Sequence, residues 1–278
     1  APAGLLLYYV SVPKLLKELK AFYKKEGRAH LPWRKTRDPY KILVSELMLQ
    51  QTQVERVVPF YKNFIKQFPT ASALGKAPLS KVLTAWQGLG YNRRAKFLHE
   101  AAKQLVALKK FPRAAEEIQK LRGVGHYTAR AVATFAFNSP EVFVETNIRT
   151  VLLWHSDFLR RNDVSDAELL PLVEHALKKS RMEPREFYAA LMDYGAHLKR
   201  QGIKLNDKSK HYTKQSKFEG SARQLRGAIL RELLHRRASV SMLVHRIPAS
   251  KEDMVRELAR LAAEGLIKLH GKLFTVAD

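Results

Sequence analysis

Cysteine is missing altogether from this 278-residue chain. That excludes disulfides, thiolate metal sites and any cysteine-ligated iron–sulfur cluster. The ten histidines are scattered, with no close pair of the His-x-x-x-His kind, which argues against a catalytic metal. Long apolar runs are lacking too. The opening stretch, APAGLLLYYVSV, is too short to span a bilayer and has no basic segment ahead of it. No membrane association and no signal peptide are therefore expected, a processed start is expected where Met is absent, and a cytoplasmic location follows. Acidic residues are scarce: 26 Asp and Glu stand against 50 Lys and Arg, a net charge of +24. Such an excess favours a polyanionic partner, whether DNA, RNA or an acidic membrane surface. Hydrophobic residues make up 46% of the chain, enough for a core, and the length suits about two domains.

What is present is organised around residues 121–148, LRGVGHYTARAVATFAFNSPEVFVETNI. Leu121-Arg122-Gly123-Val124-Gly125 reads as a tight hairpin between helices. Gly123 and Gly125 are able to take φ > 0 and to let the backbone approach something closely. Backbone N–H groups at such a turn, next to a helix N-terminus, suit a phosphate. The next helix, about Tyr127 to Phe137, leads to a loop that presents a lone carboxylate, Glu145, beside Asn147. A G-x-G turn by itself is also a common structural connector.

Apolar spacing predicts a helix over 13–26 and another from Pro39, with Asp38 as its N-cap. Leu31-Pro32-Trp33-Arg34 lies between them. In the second helix Ile42, Leu43, Leu47 and Leu49 are core candidates. Glu46 falls on or near that face: either a surface residue at the edge of the stripe, or a desolvated carboxyl with the raised pKa a general acid needs. Gln50-Gln51-Thr52-Gln53 follows. Further helices are predicted at about 54–68, 71–75 and 78–86. Gly88-Leu89-Gly90-Tyr91 is a second turn entering a basic helix with Arg93, Arg94 and Lys96. Its Leu89 and Tyr91 either wedge into a base stack or pack between helices. Helices at about 113–121, from Glu145 to Phe158, 167–179 and 184–198 complete an all-α region. Residues 199–218 carry seven Lys/Arg against one Asp and read as a basic linker or phosphate-tracking arm, or as a disordered tether. Residues 221–278 read as three helices and a β-hairpin, the order of a winged helix.

Five separated motifs carry a family resemblance: LPWR at 31–34, DPYKILVSELMLQQTQV at 38–54, WQGLGY at 86–91, LRGVGHYTA at 121–129 and VETNIR at 144–149. The chain resembles the helix-hairpin-helix (HhH-GPD) DNA glycosylases, and among them the MutY-type adenine glycosylases, over roughly residues 28–198. The resemblance implies an all-α glycosylase fold of two helical lobes with the active-site cleft between them. One six-helix lobe would cover about 36–144, and the other would combine the N-terminal helix with 145–198. The glycosylase region 1–198 is then followed by a basic linker at 199–220 and a small winged-helix-like α+β domain at 221–278.

The same resemblance implies a base-excision-repair enzyme that hydrolyses the N-glycosidic bond of adenine opposite 8-oxoguanine or guanine. It would be a monofunctional hydrolase acting on double-stranded DNA with a mismatch or lesion, as a nucleoid-associated, bacterial-type monomer. Glu46 takes the place of the general acid, while Trp33, Arg34 and Asp193 belong to the base pocket. Gln51, Thr52, Leu89 and Tyr91 would invade the duplex, and Gly123 and Gly125 would grip a phosphate. Tyr127 stands where bifunctional relatives carry a Schiff-base Lys. Glu145, with Asn147 beside it, would stabilise the sugar cation.

The sequence departs from the family pattern in three places. Glu145 replaces the usual Asp and is one methylene longer. The cluster cysteines expected after LMDYGAHLK are absent, so no cofactor is expected. The winged-helix-like unit stands where the family has a Nudix-like domain. The alternatives to adenine excision are a thymine or uracil mismatch glycosylase on the same scaffold, and a non-catalytic lesion-binding protein.

Overall fold

The structure, a computed structural model, describes residues 12–210, 212 and 217–278. The apolar N-terminal stretch, apart from Val12, and part of the basic segment lie outside the described residues. The chain forms two compact units. The first takes the chain up to Ile42, Arg113–Ile118 and the run from Gly125 into the basic segment; the second takes Leu43–Pro112, Gln119–Val124 and the C-terminal segment. The helical architecture with a small C-terminal hairpin is the one expected. The partition is not: the helix after the hairpin, assigned by sequence to the 36–144 lobe, belongs to the first unit.

In the first unit, α1 (Val12–Glu26) buries Leu15 and Leu19 and packs on α11 (Pro184–Arg200). The Phe22 ring lies 5.2 Å from Tyr194 and 4.9 Å from His197. Helices α8 (His126–Phe137) and α9 (Thr146–Trp154) pack on other parts of α11. α10 (Asp166–Ser180) starts with a capping box, Ser165 with Glu168, in which Ser165 N–H donates to the Glu168 carboxylate at 2.9 Å. α9 ends earlier than its apolar residues suggested. The chain breaks at His155 and Ser156 and resumes as a 3-10 turn over Asp157–Arg160.

The start of the predicted linker is ordered. α11 runs to Arg200, and Gly202, at φ +87°, lets Ile203 N–H return to the Leu198 carbonyl at 3.0 Å. That left-handed glycine ends the helix as a Schellman-type cap. Residues 208–210 then pair with Val164 through Val164 N–H to Lys208 O (2.9 Å) and Lys210 N–H to Val164 O (3.1 Å).

The second unit contains the end of α2 (Pro39–Leu49), then α3 (Val54–Gln67), α4 (Ala71–Lys76), α5 (Leu79–Trp86) and α6 (Arg93–Ala107). The short α7 (Ala115–Gln119) precedes the hairpin. The C-terminal segment of this unit has α12 (Ala222–His235), α13 (Val240–Arg246) and α14 (Lys251–Ala263), then β1 (Ile267–His270) antiparallel to β2 (Leu273–Val276). Each of its helices is capped by a serine: Ser221, Ser239 and Ser250 accept from Gln224, Met242 and Asp253 N–H. This segment is fastened to the helices before it. Lys96 Nζ donates to Glu264 O at 2.6 Å, and Ser80 N–H and Oγ donate to the Asp278 carboxylate at 2.7 Å. Among the described residues no helix is long and apolar enough to cross a membrane.

Two buried histidines tie stability to pH. Burial holds His99 and His155 below the ordinary value of 6.5. For His99 burial is reinforced by Lys103 and opposed by the Ala77 carbonyl, 2.9 Å from Nε2. For His155 burial outweighs Glu18, 3.6 Å away, which raises it. In the window below 6.5 the unfolded chain holds more protons than the folded one, so stability rises with pH there. The contribution is complete above 6.5 and is lost as pH falls through that value. The thermal midpoint should therefore drop between pH 7 and pH 5, and replacing both histidines with Gln should flatten that drop. An unchanged slope in the double variant would contradict this origin.

Candidate active site

Glu145 is the N-cap of α9. Its Oε1 accepts from Asn147 N–H (2.8 Å) and Ile148 N–H (2.9 Å), and its Oε2 accepts from Thr146 Oγ1 (3.0 Å) and Asn147 Nδ2 (3.3 Å). Four donors thus fix a half-exposed carboxylate at a helix N-terminus, where an anion is favoured. The Glu145 side chain folds back onto the cap amides of its own helix. Asn147 is itself held, with Oδ1 accepting from Lys199 Nζ at 2.8 Å. Burial lowers the Lys199 pKa, opposed by the attraction of Glu145.

Lys199 was not singled out from the sequence, because it opens the basic run. The available signal was its position four residues after Gly195 on α11, hence on the same face. That face meets α9 closely: a Cβ on Gly195 would lie 2.2 Å from the Asn147 carbonyl oxygen. Gly195→Ala forces the backbone under Glu145 to move. The expected result is a loss of about 1–3 kcal/mol, on the scale of overpacking, measured by urea unfolding. A change below about 0.5 kcal/mol, the range of ordinary surface substitutions, would show that the two helices part freely.

α2 is buried on all sides from Ile42 to Met48. Glu46 is 6% exposed, so it is not a surface residue at the edge of a stripe. Leu49, a predicted core residue, is only half-buried. The loops that follow α2 and α5 are joined by Arg94. Read from sequence as one of the cations of a basic helix, it is 8% exposed and points inward. Its guanidinium donates to the carbonyls of Leu47 (2.7 Å), Met48 (3.1 Å) and Gln50 at the C-terminus of α2, and to those of Leu89 (3.4 Å) and Gly90 (3.2 Å). It also lies over the Trp86 and Tyr91 rings at 5.6 and 5.3 Å. Burial pulls its pKa down to about 10.

Gln51 (φ +56°) and Tyr91 (φ +48°) both occupy the left-handed region, which costs a non-glycine residue of order 1 kcal/mol or more each. Thr52 Oγ1 donates to Gln50 O at 3.3 Å. Tyr91 is half-exposed, whereas Leu89 is 5% exposed and packs inward, the second of the two alternatives open for this turn.

The LPWR motif forms a 3-10 turn over Pro32–Arg34, with Trp33 buried. Asp193 is 2% exposed. It accepts from Arg28 N–H and Nε at 2.8 Å each, and it pairs with Arg28 Nη2 (2.8 Å) and Arg34 Nη2 (3.5 Å). Arg34 also lies over the Phe135 ring at 5.3 Å. Arg28, absent from the sequence-based set, is thus the main partner of Asp193. Tyr127 stands edge-on to Phe143, ring centroids 5.6 Å apart, two residues before Glu145.

In the hairpin Gly123 takes φ +74°, and its missing Cβ makes room for Phe97. Gly125 does not take positive φ. It sits at −84° as the N-cap of α8, without a side-chain cap bond and with nothing of the protein within 4 Å of a would-be Cβ. Its role is clearance at an uncapped helix N-terminus, where a phosphate is suited.

The first unit thus groups Glu145, Asn147 and Tyr127 along one segment, and Trp33, Arg34 and Asp193 around another. The second holds Gln51, Thr52, Leu89 and Tyr91 around Arg94, with Glu46 one helical turn before the Gln50 carbonyl. No group of three or more His, Asp or Glu residues that could hold a metal ion occurs among the described residues.

Residues 44–170 match the family described as HhH-GPD superfamily base excision DNA repair protein. The chain is 41% identical to the adenine DNA glycosylase of Mycolicibacterium smegmatis over 184 residues, covering 64% of this chain and 61% of that protein. It is 38% identical to that of Buchnera aphidicola subsp. Baizongia pistaciae over 177 residues, covering 63% and 50%. The chain therefore spans about half to three fifths of these relatives. Among solved structures it is similar to a thermostable thymine-DNA glycosylase, with a TM-score of 0.58 and 27% identity over 67% of this chain and 86% of that one. It shares its fold with endonuclease III in a non-covalent DNA complex, with a TM-score of 0.54 and 21% identity over 67% and 83%. Over the region that carries Glu46, both loops, the hairpin and Glu145, the chain is similar to the HhH-GPD superfamily of base excision DNA repair proteins and, within it, to proteins named adenine DNA glycosylase.

Proposed function

We propose that this protein is a monofunctional DNA glycosylase that releases adenine mispaired with 8-oxoguanine or guanine. The observation that carries the reading is the contrast between two carboxyl groups: Glu46, buried within an apolar helix, and Glu145, cradled by four donors at the start of α9. Adenine leaves readily only when a ring nitrogen is protonated. Burial disfavours the charged form of a carboxyl, which suits a group that gives a proton to a leaving base. As the C–N bond breaks, the sugar gains positive charge, and the fixed Glu145 carboxylate faces that charge without needing to reorganise. Two carboxyl groups split into acid and anion is the logic of glycoside hydrolysis generally. Tyr127 offers no amine for a Schiff base, which supports water as the final nucleophile. Flipping the base costs a few kcal/mol, and the Gln51 and Tyr91 loops, with the basic surface, would offset it.

Base release from duplexes carrying 8-oxoguanine:A, G:A, G:T and G:U tests the reading. Adenine from the first two is expected. The similarity to a thymine-DNA glycosylase motivates the second reading, and release of thymine or uracil instead would select it. Tight binding with no base released from any duplex would sink both.

A further inference from the structure

The C-terminal segment has no role in the reading above, yet its first helix forms one wall of a groove whose other wall is the two loops joined by Arg94. The groove has a volume of about 980 Å³ and is lined by Gln51, Tyr91 and Arg56 on one side, and by Arg223, Gly227 and Arg231 of α12 on the other. We propose that this groove holds the unflipped strand of the DNA duplex, with the α12 arginines on its phosphates.

Three observations support this. First, the charge is one-sided. Among the described residues Glu264 is the only acidic one lining the groove, and it is already paired with Arg226 at 2.5 Å. Arg231 is exposed and has no ion pair or hydrogen bond among the described residues. Second, the α12 face is continuous with the loop. Arg223 Nη1 donates to Tyr91 Oη at 2.9 Å, and its guanidinium lies 5.6 Å from the centre of that ring. Arg223 is thereby a positioning residue for Tyr91. Third, Gly227 lies in mid-helix, where glycine weakens the helix, and packing does not require it. A Cβ there would meet nothing within 4 Å. Positions 223, 227, 230, 231 and 234 share one helical face, and all line the groove. Glycine at its centre leaves clearance for a strand, flanked by guanidinium groups suited to phosphate and by uncharged amides suited to base edges.

The inference rests on the DNA-binding part of the proposed function but not on catalysis, so it is tested by binding with the full chain. The probe is a short labelled duplex with a central G:A pair. Gly227→Leu should leave the thermal midpoint equal or higher, because leucine is the better helix former, while weakening duplex binding by about tenfold or more through blockage of the groove. The double variant Arg223→Ala/Arg231→Ala should lower the slope of log K against log salt by roughly 1.8, about 0.9 per lost phosphate contact. Neutral methylphosphonates opposite the adenine should weaken binding of the wild type but not of the double variant. The same groups in the adenine strand should weaken both equally.

A folded Gly227→Leu protein that binds as wild type would overturn the proposal. If Gly227→Leu fails to fold, the double variant decides, since neither arginine belongs to the buried core, and an unchanged salt slope overturns the groove. A methylphosphonate effect confined to the adenine strand reverses the strand assignment and overturns the proposal as stated. Failure to release any base, with this binding pattern intact, would remove the glycosylase reading and leave the groove standing.

Discussion

Glu46→Gln should abolish adenine release and leave the protein folded and able to bind duplex DNA. The expected loss in single-turnover rate is about 10²- to 10⁴-fold, the usual share of a positioned general acid. Gln keeps the size and hydrogen-bonding capacity of Glu but has no proton to give. Glu46 is 6% exposed within a helix that is buried all round, so a neutral amide there carries no more desolvation cost than the carboxyl did. The thermal midpoint is expected to hold or to rise. This separates the variant from a structural lesion, in which rate, binding and stability fall together. A Glu46→Gln protein that releases adenine at the wild-type rate would remove Glu46 from the mechanism. Glu145→Gln should also slow the reaction. The double variant is then expected to be little worse than the slower single one, because in the proposed mechanism the two groups act on one bond in one step.

Arg94→Met should cost about 3–5 kcal/mol, as buried carbonyls each worth about 1–3 kcal/mol lose their donor. The arginine caps the C-terminus of α2 through Leu47, Met48 and Gln50, and in the same fork holds Leu89 and Gly90. Methionine fills similar apolar space and donates nothing. Lysine keeps a charge but cannot spread over both loops, so Arg94→Lys should recover only part of the loss. Urea unfolding measures the stability. Hydrogen exchange at Thr52 and Leu89, whose amides bond to Leu49 and Trp86 carbonyls, should quicken in both loops at once. A loss confined to one loop, or below about 1 kcal/mol, would contradict the shared tether.

Much of the helical order was legible because the chain announces its helix starts. Thr70, Ser165 with Glu168, Ser221, Ser239 and Ser250 each place a cap where local chemistry demands one. What failed to show follows from the same reliance on local pattern. The burial of Glu46 was hidden because α2 has no polar face from Ile42 to Met48, so its periodicity offers no contrast. Arg94 looked like its neighbours Arg93 and Lys96, since composition cannot tell an inward arginine from an outward one. Lys199 sits at the seam between a helix and a charge run, and the charge run claimed it. Gly195 and Asn147 meet across 48 positions of sequence, and nothing local marks either as the other's neighbour. Gly125 was read as able to take a left-handed turn and to allow close approach, and it shows only open space beside an extended backbone.

Gln51 and Tyr91 hold left-handed backbone conformations before any partner arrives. On the proposed function, this bears on search speed. Two loops already bent to their working shape, and fastened to one arginine, present the same probe to every base pair they pass. Little ordering remains to be done at each stop, so dwell time is governed by how readily the pair yields. A weakened pair then differs from a sound one through its own stacking, and the scanner spends its time where the duplex gives way.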